Sequence, residues 1–189
     1  MKAKELPSLE YLNECFELSE DSPSGLIWKV RPRYHFNSNS GWKCFNTQKS
    51  GKFAGNILVN PKTSVRYWQV SIIRKLYFSH RIIYSIIKKF NVLPGIEIDH
   101  EDGNGMNNKI NNLRSASRSQ NCQNARIRKD NSSGIKGVYW HEGYKAWIGQ
   151  IMANKIRYAT YPCPTPEIAG ELLNELRQSL HKEFQNHGA

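Results

Sequence analysis

Asp99 and His100 stand side by side after Ile98, and a run of amides follows: Asn107, Asn108, Asn111 and Asn112, then Ser119, Gln120 and Asn121. Hydrolysis of a phosphodiester needs an activated water, a counter-charge for the phosphate and relief of charge on the leaving oxygen. One divalent cation can serve the last two needs and a nearby imidazole the first. Mg²⁺ takes oxygen ligands, keeps several waters and uses only one or two protein groups. The Asp99 carboxylate and the Asn121 amide oxygen make such a pair, and His100, with an unperturbed pKa of about 6.5, can act as a neutral base at pH 7. The stretch therefore reads as a DNA-cutting site with one metal and one general base.

These groups need elements to hold them. Glu97 to His100 reads as the end of a strand, whose alternation sends Asp99 and His100 to opposite sides. Leu113 to Ala116 can form the returning strand. Ser117 or Ser119 then caps a helix carrying Gln120, Asn121, Asn124 and Arg128, with Asn121 in its first turn looking back at Asp99. Ahead of the site, Ser79 caps an amphipathic helix to Phe90, with Ile82, Ile83, Ile86, Ile87 and Phe90 on its buried face and Pro94 and Gly95 ending it. Glu101 and Asp102 are either further ligands or solvated loop groups. His80, near a helix start, either meets a phosphate or packs, and packing is preferred. His35, His141, His181 and His187 have no constellation around them.

Toward the N-terminus, Ser8 caps a short helix bearing Leu9, Leu12, Cys15 and Phe16, and Leu26 to Val30 reads as a strand. Arg31 to Gly51 is expected to be a long basic loop, led toward DNA by Arg31, Arg33 and Lys43. Ala54 to Val59 and Val65 to Ile73 are strand-like, with Pro61 and Lys62 at the turn between them. Past a linker at Asp130 to Gly134, three short antiparallel strands are expected at Gly137 to Trp140, Ala146 to Met152 and Ile156 to Tyr161. A helix follows, with Ile168, Leu172, Leu176, Leu180 and Phe184 repeating at i+4 beside Ala169 and Leu173.

Charge is unevenly spread over the 189 residues, whose net charge is +11. Leu26 to Phe90 holds thirteen Lys and Arg and no Asp or Glu. Soluble surfaces normally mix signs, so a polyanion is the fitting partner. Acids return at Glu97, Asp99, Glu101 and Asp102, inside the site. The four cysteines, Cys15, Cys44, Cys122 and Cys163, are far apart, which argues against a zinc finger and for buried free thiols. No apolar run approaches the roughly 20 residues of a membrane span, and the first residues carry no secretory pattern.

The order Asp-His, the Asp-Gly-Asn-x-x-Asn-Asn loop, Asn-Asn-Leu-Arg and Ser-x-Asn-x-x-Asn resembles the HNH endonuclease family, and more narrowly the phage-type homing endonucleases of the ββα-metal superfamily. Gly25-Leu-Ile-Trp28 and His80-Arg81 are similar to that family's pattern ahead of the motif. The resemblance implies that Asp99 and Asn121 are metal ligands, that His100 is the general base, and that Asn112 pins the loop across the two strands. Asn121 stands where the family name expects His. Its hard amide oxygen favours Mg²⁺ or Mn²⁺ over Zn²⁺. Family chemistry leaves a 5′-phosphate and a 3′-hydroxyl. Ser133 to Trp140, Lys145-Ala-Trp147 and Leu180 to Phe184 resemble the DNA-binding domain of plant ethylene-response factors, which implies a sheet docked in the major groove. Tyr139, Trp140 and His141 occupy strand positions where that family favours Arg, so base specificity does not carry over.

The expectation is an α+β protein: a β-rich, DNA-contacting region at 1–78, a ββα-metal nuclease module at 79–129 and a βββα DNA-binding domain at 130–189. It acts on double-stranded DNA as a monomer without a membrane or protein partner, in the cytoplasm, and nicks one strand. DNA contacts are expected from Arg31, Arg33, Lys43, Arg114, Arg118, Arg128, Lys136, Tyr139, Trp140, Lys145 and Arg157, with Trp147 in the core. A regulator with an inactive site is the alternative.

Overall fold

The structure is a computed structural model and describes residues 4–61, 63–125, 127, 130–153 and 155–181. Helices and short sheets alternate along the chain, so the fold is mixed α+β. The chain divides into two compact units, Met1–Ser115 and Ala116–Ala189.

In the first unit, α1 (Leu9–Cys15) is capped by Ser8, whose hydroxyl accepts from the Tyr11 N–H at 3.2 Å. β1 (Phe16–Leu18) and β2 (Leu26–Trp28) pair antiparallel, with Phe16 opposite Trp28. The following stretch is not the expected loop. It holds a 3-10 turn at Arg33–His35 and an eleven-residue helix, α2 (Asn39–Lys49). Ser38 caps α2 by accepting from the Gly41 N–H, but no α2 residue is fully buried. That leaves little hydrophobic periodicity in the sequence to announce a helix.

β3 (Asn56–Val59), β4 (Arg66–Ile72) and β5 (Lys75–Phe78) form an antiparallel meander. β5 was not expected. Its turn places Ile73 and Arg74 at φ of 49° and 56°, the left-handed pair that a tight hairpin requires but that Asn and Gly normally supply. α3 (Ser79–Lys88) follows directly and ends at a left-handed Lys89, well before Pro94. Ser79 is not its cap. Phe78 takes that position, and Ser79 is buried in the first turn with its hydroxyl unpartnered. The guanidinium of Arg81 then gathers the carbonyls of Val92 and Ile96, at 3.1 and 2.6 Å, and so fixes the approach to β6.

β6 (Glu97–His100) and β7 (Leu113–Ala116) pair in a two-stranded sheet. Leu12, Phe16, Leu26, Val70 and Ile72 share one hydrophobic cluster with Ile82, Ile98 and Leu113. The expected boundary after residue 78 therefore cuts through a single core.

In the second unit, α4 (Arg118–Asn124) opens on a capping box between Ser117 and Gln120. β8 (Val138–His141), β9 (Ala146–Ala153) and β10 (Ile156–Ala159) form a sheet in the order β10-β9-β8, covered by α5 (Pro166–His181). Gly149 lets α5 approach closely, because a side chain there would strike the Ala169 carbonyl and Leu173. The fully buried line of α5 is Ala169, Leu173 and Arg177, while Ile168 is 38% exposed. Leu172, Leu176 and Leu180 pack beside that line as expected, and a buried arginine completes it. Arg177 donates to the Asn174 side chain at 2.8 Å and to the Lys136 carbonyl. Phe184 lies outside the described residues. Of the cysteines, Cys15 and Cys163 are buried, whereas Cys44 and Cys122 are exposed.

Candidate active site

Asp99 and His100 are both buried, at 6% and 5% exposure. They have separate partners, as alternation along a strand requires. Asp99 Oδ2 accepts from Nε and Nη2 of Arg114 on the neighbouring β7, each at 3.2 Å. The Nε2 of His100 lies 3.1 Å from the side-chain oxygen of Asn108. Asn108 is itself held, since its amide nitrogen donates to the Ser24 carbonyl at 2.9 Å.

The loop from Glu101 to Asn112 is braced by its own amides. Asn112 accepts from the Asp102 N–H at 3.0 Å and donates to Asp102 Oδ1 at 3.0 Å and to the Asn107 carbonyl at 2.8 Å. Asp102 also accepts from the Asn104 N–H and the Asn107 side chain, both at 2.8 Å. Burial pushes the Asp102 carboxyl up, but the hydrogen bonds from Asn107, Asn104 and Asn112 outweigh it and hold the pKa below the usual value. Asp102 thus organises the loop rather than hanging in solvent. Gly105 brings the loop against β4, where a side chain would collide with the Arg66 carbonyl and the Tyr67 ring.

Around His100 sits an aromatic group. The His80 ring meets it edge-on at 4.7 Å, Tyr67 lies 6.1 Å away, and Phe78 stacks on His80 at 5.3 Å. Burial lowers the His100 pKa against the opposing pull of Asn108, Asp102 and Asp99. His80 falls well below the ordinary value, through burial first and then the charges of His100 and Arg81. Both imidazoles are neutral at pH 7.

The cations singled out from the sequence have different fates. Arg31, expected to lead a loop toward DNA, is instead 6% exposed, and its guanidinium lies 4.8 to 5.8 Å from the ring centroids of Phe36, Phe45, Tyr11 and Trp28. It also donates to the Tyr11 hydroxyl and to Nδ1 of His35. Arg114 is turned to Asp99 rather than outward. Lys136 is half-buried, donates to the Gln123 carbonyl at 2.7 Å, and has its pKa lowered to about 8 by burial and by Arg177. Arg33, Lys43, Arg118 and Arg157 are exposed. Lys145 is exposed and paired with Glu142 at 2.7 Å, and Arg128 lies outside the described residues. Trp140 and Trp147, read as contact and core, are cross-strand partners with rings 5.4 Å apart. They share the sheet face of Val138, which packs with α5. Tyr139 pairs with Ile148 and Arg157 with Met152, so these two lie on the opposite face. Asn121 lies in the first turn of α4.

Over 90 residues, 48% of this chain, the sequence is 41% identical to Protein 3.8 of Escherichia phage T7 and takes in 74% of that protein. The chain belongs to the Protein 3.8 family. It is also 36% identical over 107 residues, 56% of its length, to an uncharacterized HNH endonuclease of Acanthamoeba polyphaga mimivirus, of which the match covers 54%. No family model and no solved structure matches the chain.

In this member of the Protein 3.8 family, three residues at the site had no role assigned from the sequence: Asn108, Tyr67 and Gly105. Asn108 sits in a run of amides that all look alike, and only the fold shows which of them faces His100. Tyr67 carried strand propensity alone. Among the described residues, no group of three or more His, Cys, Asp or Glu could hold a metal; the Asp99 carboxylate is an oxygen donor of the kind Mg²⁺ takes, and Mg²⁺ uses only one or two protein ligands.

Proposed function

We propose that the chain is a metal-dependent DNA endonuclease of the HNH homing type that nicks one strand of a duplex. The observation that carries this is the wiring of His100. Asn108 spends its amide protons on Ser24 and turns its oxygen to Nε2 of His100. That puts the imidazole proton on Nε2 and the lone pair on Nδ1, the state a general base needs. Burial keeps the ring neutral, so it is competent at pH 7.

On this reading Nδ1 of His100 takes a proton from the water that attacks phosphorus, and Nε2 keeps its bond to Asn108 as the ring becomes charged. Asp99 is the carboxylate that would hold a divalent cation, Mg²⁺ or Mn²⁺, with Arg114 fixing its orientation. For Asn121 as a ligand, the support is its place in the motif. The cation, when bound, neutralises the phosphate and the leaving 3′ oxygen. Asn112 keeps the loop in the shape that presents Asn108.

The test is supercoiled plasmid incubated with the protein, with Mg²⁺ and with chelator. Metal-dependent conversion to the relaxed circle is expected, and His100→Ala should abolish it while a mobility shift persists. Undiminished cleavage by His100→Ala refutes the assignment. Binding without any metal-dependent nicking supports the regulator instead.

A further inference from the structure

α2 has one tethered side and one open side. Trp42 donates to the Arg31 carbonyl at 2.9 Å. Asn46 grips the same backbone twice, accepting from the Arg31 N–H at 2.9 Å and donating to its carbonyl at 3.0 Å. Phe45 packs edge-on to Trp28, 5.1 Å between centroids, beneath the Arg31 guanidinium. These three residues recur on one helical face. The opposite face carries Ser40, Lys43, Cys44, Thr47 and Gln48, all exposed. Arg33 is fixed at the helix start by donating to the Asn39 side chain and the Phe36 carbonyl.

We propose that α2 is a DNA-docking helix whose Ser40, Lys43, Thr47 and Gln48 face enters the major groove. Charge complementarity decides the occupant. The segment from Leu26 to Phe90 contains no acid and thirteen cations, of which Arg31 and Arg81 are buried, and a protein partner would ordinarily be met by mixed signs or an apolar face. The open face has neither. Its side chains are short or flexible hydrogen-bonding groups around one lysine, suited to phosphates and base edges. A major groove about 12 Å wide admits an α-helix, and α2 is long enough, at about 16 Å, to lie in it. The rigid seat around Arg31 gives the helix a fixed angle.

This inference rests on the nuclease reading only in taking duplex DNA as the partner. Cys44 sits in the middle of the open face and serves as a reporter. The full chain carrying Cys122→Ser is labelled with a maleimide, with and without double-stranded plasmid fragments at low salt. Cys15 and Cys163 are buried and stay silent. Bound DNA is expected to slow labelling of Cys44 at least tenfold. Lys43→Gln should lower the salt slope of binding by about one phosphate contact, and Thr47→Ala with Gln48→Ala should change which plasmid positions are cut. DNA bound in a mobility shift with Cys44 labelled at the free rate overturns this inference alone. Protection that appears without DNA as protein concentration rises overturns it in favour of a second copy. A chain that binds no DNA overturns both this inference and the nuclease reading.

Discussion

The side-chain oxygen of Asn108 lies 3.1 Å from Nε2 of His100, and its amide nitrogen binds Ser24, 84 positions earlier in the chain, at 2.9 Å. The proposed base is therefore oriented by a turn in the N-terminal part of the fold. Asn108→Ala should lower the single-turnover nicking rate on the order of 10–100-fold, the usual cost of losing an orienting partner, with DNA affinity retained. A rate within twofold of the unmodified protein would remove Asn108 from the mechanism.

Gly105 tests the seat of the loop. A Cβ there meets the Arg66 carbonyl and the Tyr67 ring, and a backbone oxygen cannot step aside as a flexible side chain can. Gly105→Val should destabilise the first unit by about 2 kcal/mol or displace the loop. Either way nicking falls, because Asn108 no longer meets His100. Urea unfolding and plasmid nicking measured together distinguish the two routes. Normal stability with normal nicking would show that the close approach is not needed.

Arg31 separates a structural cation from a DNA-binding one. Arg31→Met keeps the chain length but removes the charge from among four rings and strips partners from Tyr11 and His35. A loss of about 2–4 kcal/mol is expected, read as a lower urea midpoint. Lys43→Gln, on the exposed face of α2, should stay within about 0.5 kcal/mol. If Arg31→Met leaves the midpoint unchanged and weakens DNA binding, the expectation from sequence was right after all.

His80 predicts an acid response. Its pKa is depressed well below 6.5 by burial, by His100 and by Arg81, and its Nδ1 has no hydrogen-bond partner. Below pH 6.5 the unfolded chain takes up a proton that the folded site refuses. Stability is therefore full above that pH and falls as the solution is acidified toward the folded pKa. His80→Phe should flatten the fall in melting temperature between about pH 7 and pH 5. The flattening is partial, because His100 and His35 are also depressed by burial. An unchanged acid slope would show that His80 is not among the groups responsible.

Much of the local order was legible because it rests on nearest neighbours. The cap at Ser8, the strand at Glu97 to His100, the return at Leu113 to Ala116 and the three C-terminal strands with their helix all follow from patterns within a few residues, whereas the structure chose Ser117 over Ser119 as the cap of α4. α2 was not legible, since its stability comes from a seat around Arg31 and not from an apolar stripe. β5 was hidden by a hairpin turn built from Ile73 and Arg74, with no glycine to mark it.

The sequence by itself determined that an acid, an imidazole and a set of amides would meet in a basic chain, because residue type and order carry that chemistry. The tertiary structure decided which amide serves the imidazole and which cations face outward. Asn107, Asn108, Asn111 and Asn112 are chemically the same, and Arg31, Arg33 and Arg114 carry the same charge. Only distance and burial tell them apart: Asn108 is beside His100, Arg31 is within a ring of aromatics, and Arg114 is against Asp99. A side chain's chemistry is local, whereas its partner is set by chain that returns from far away, and the physics of the site lies in that return.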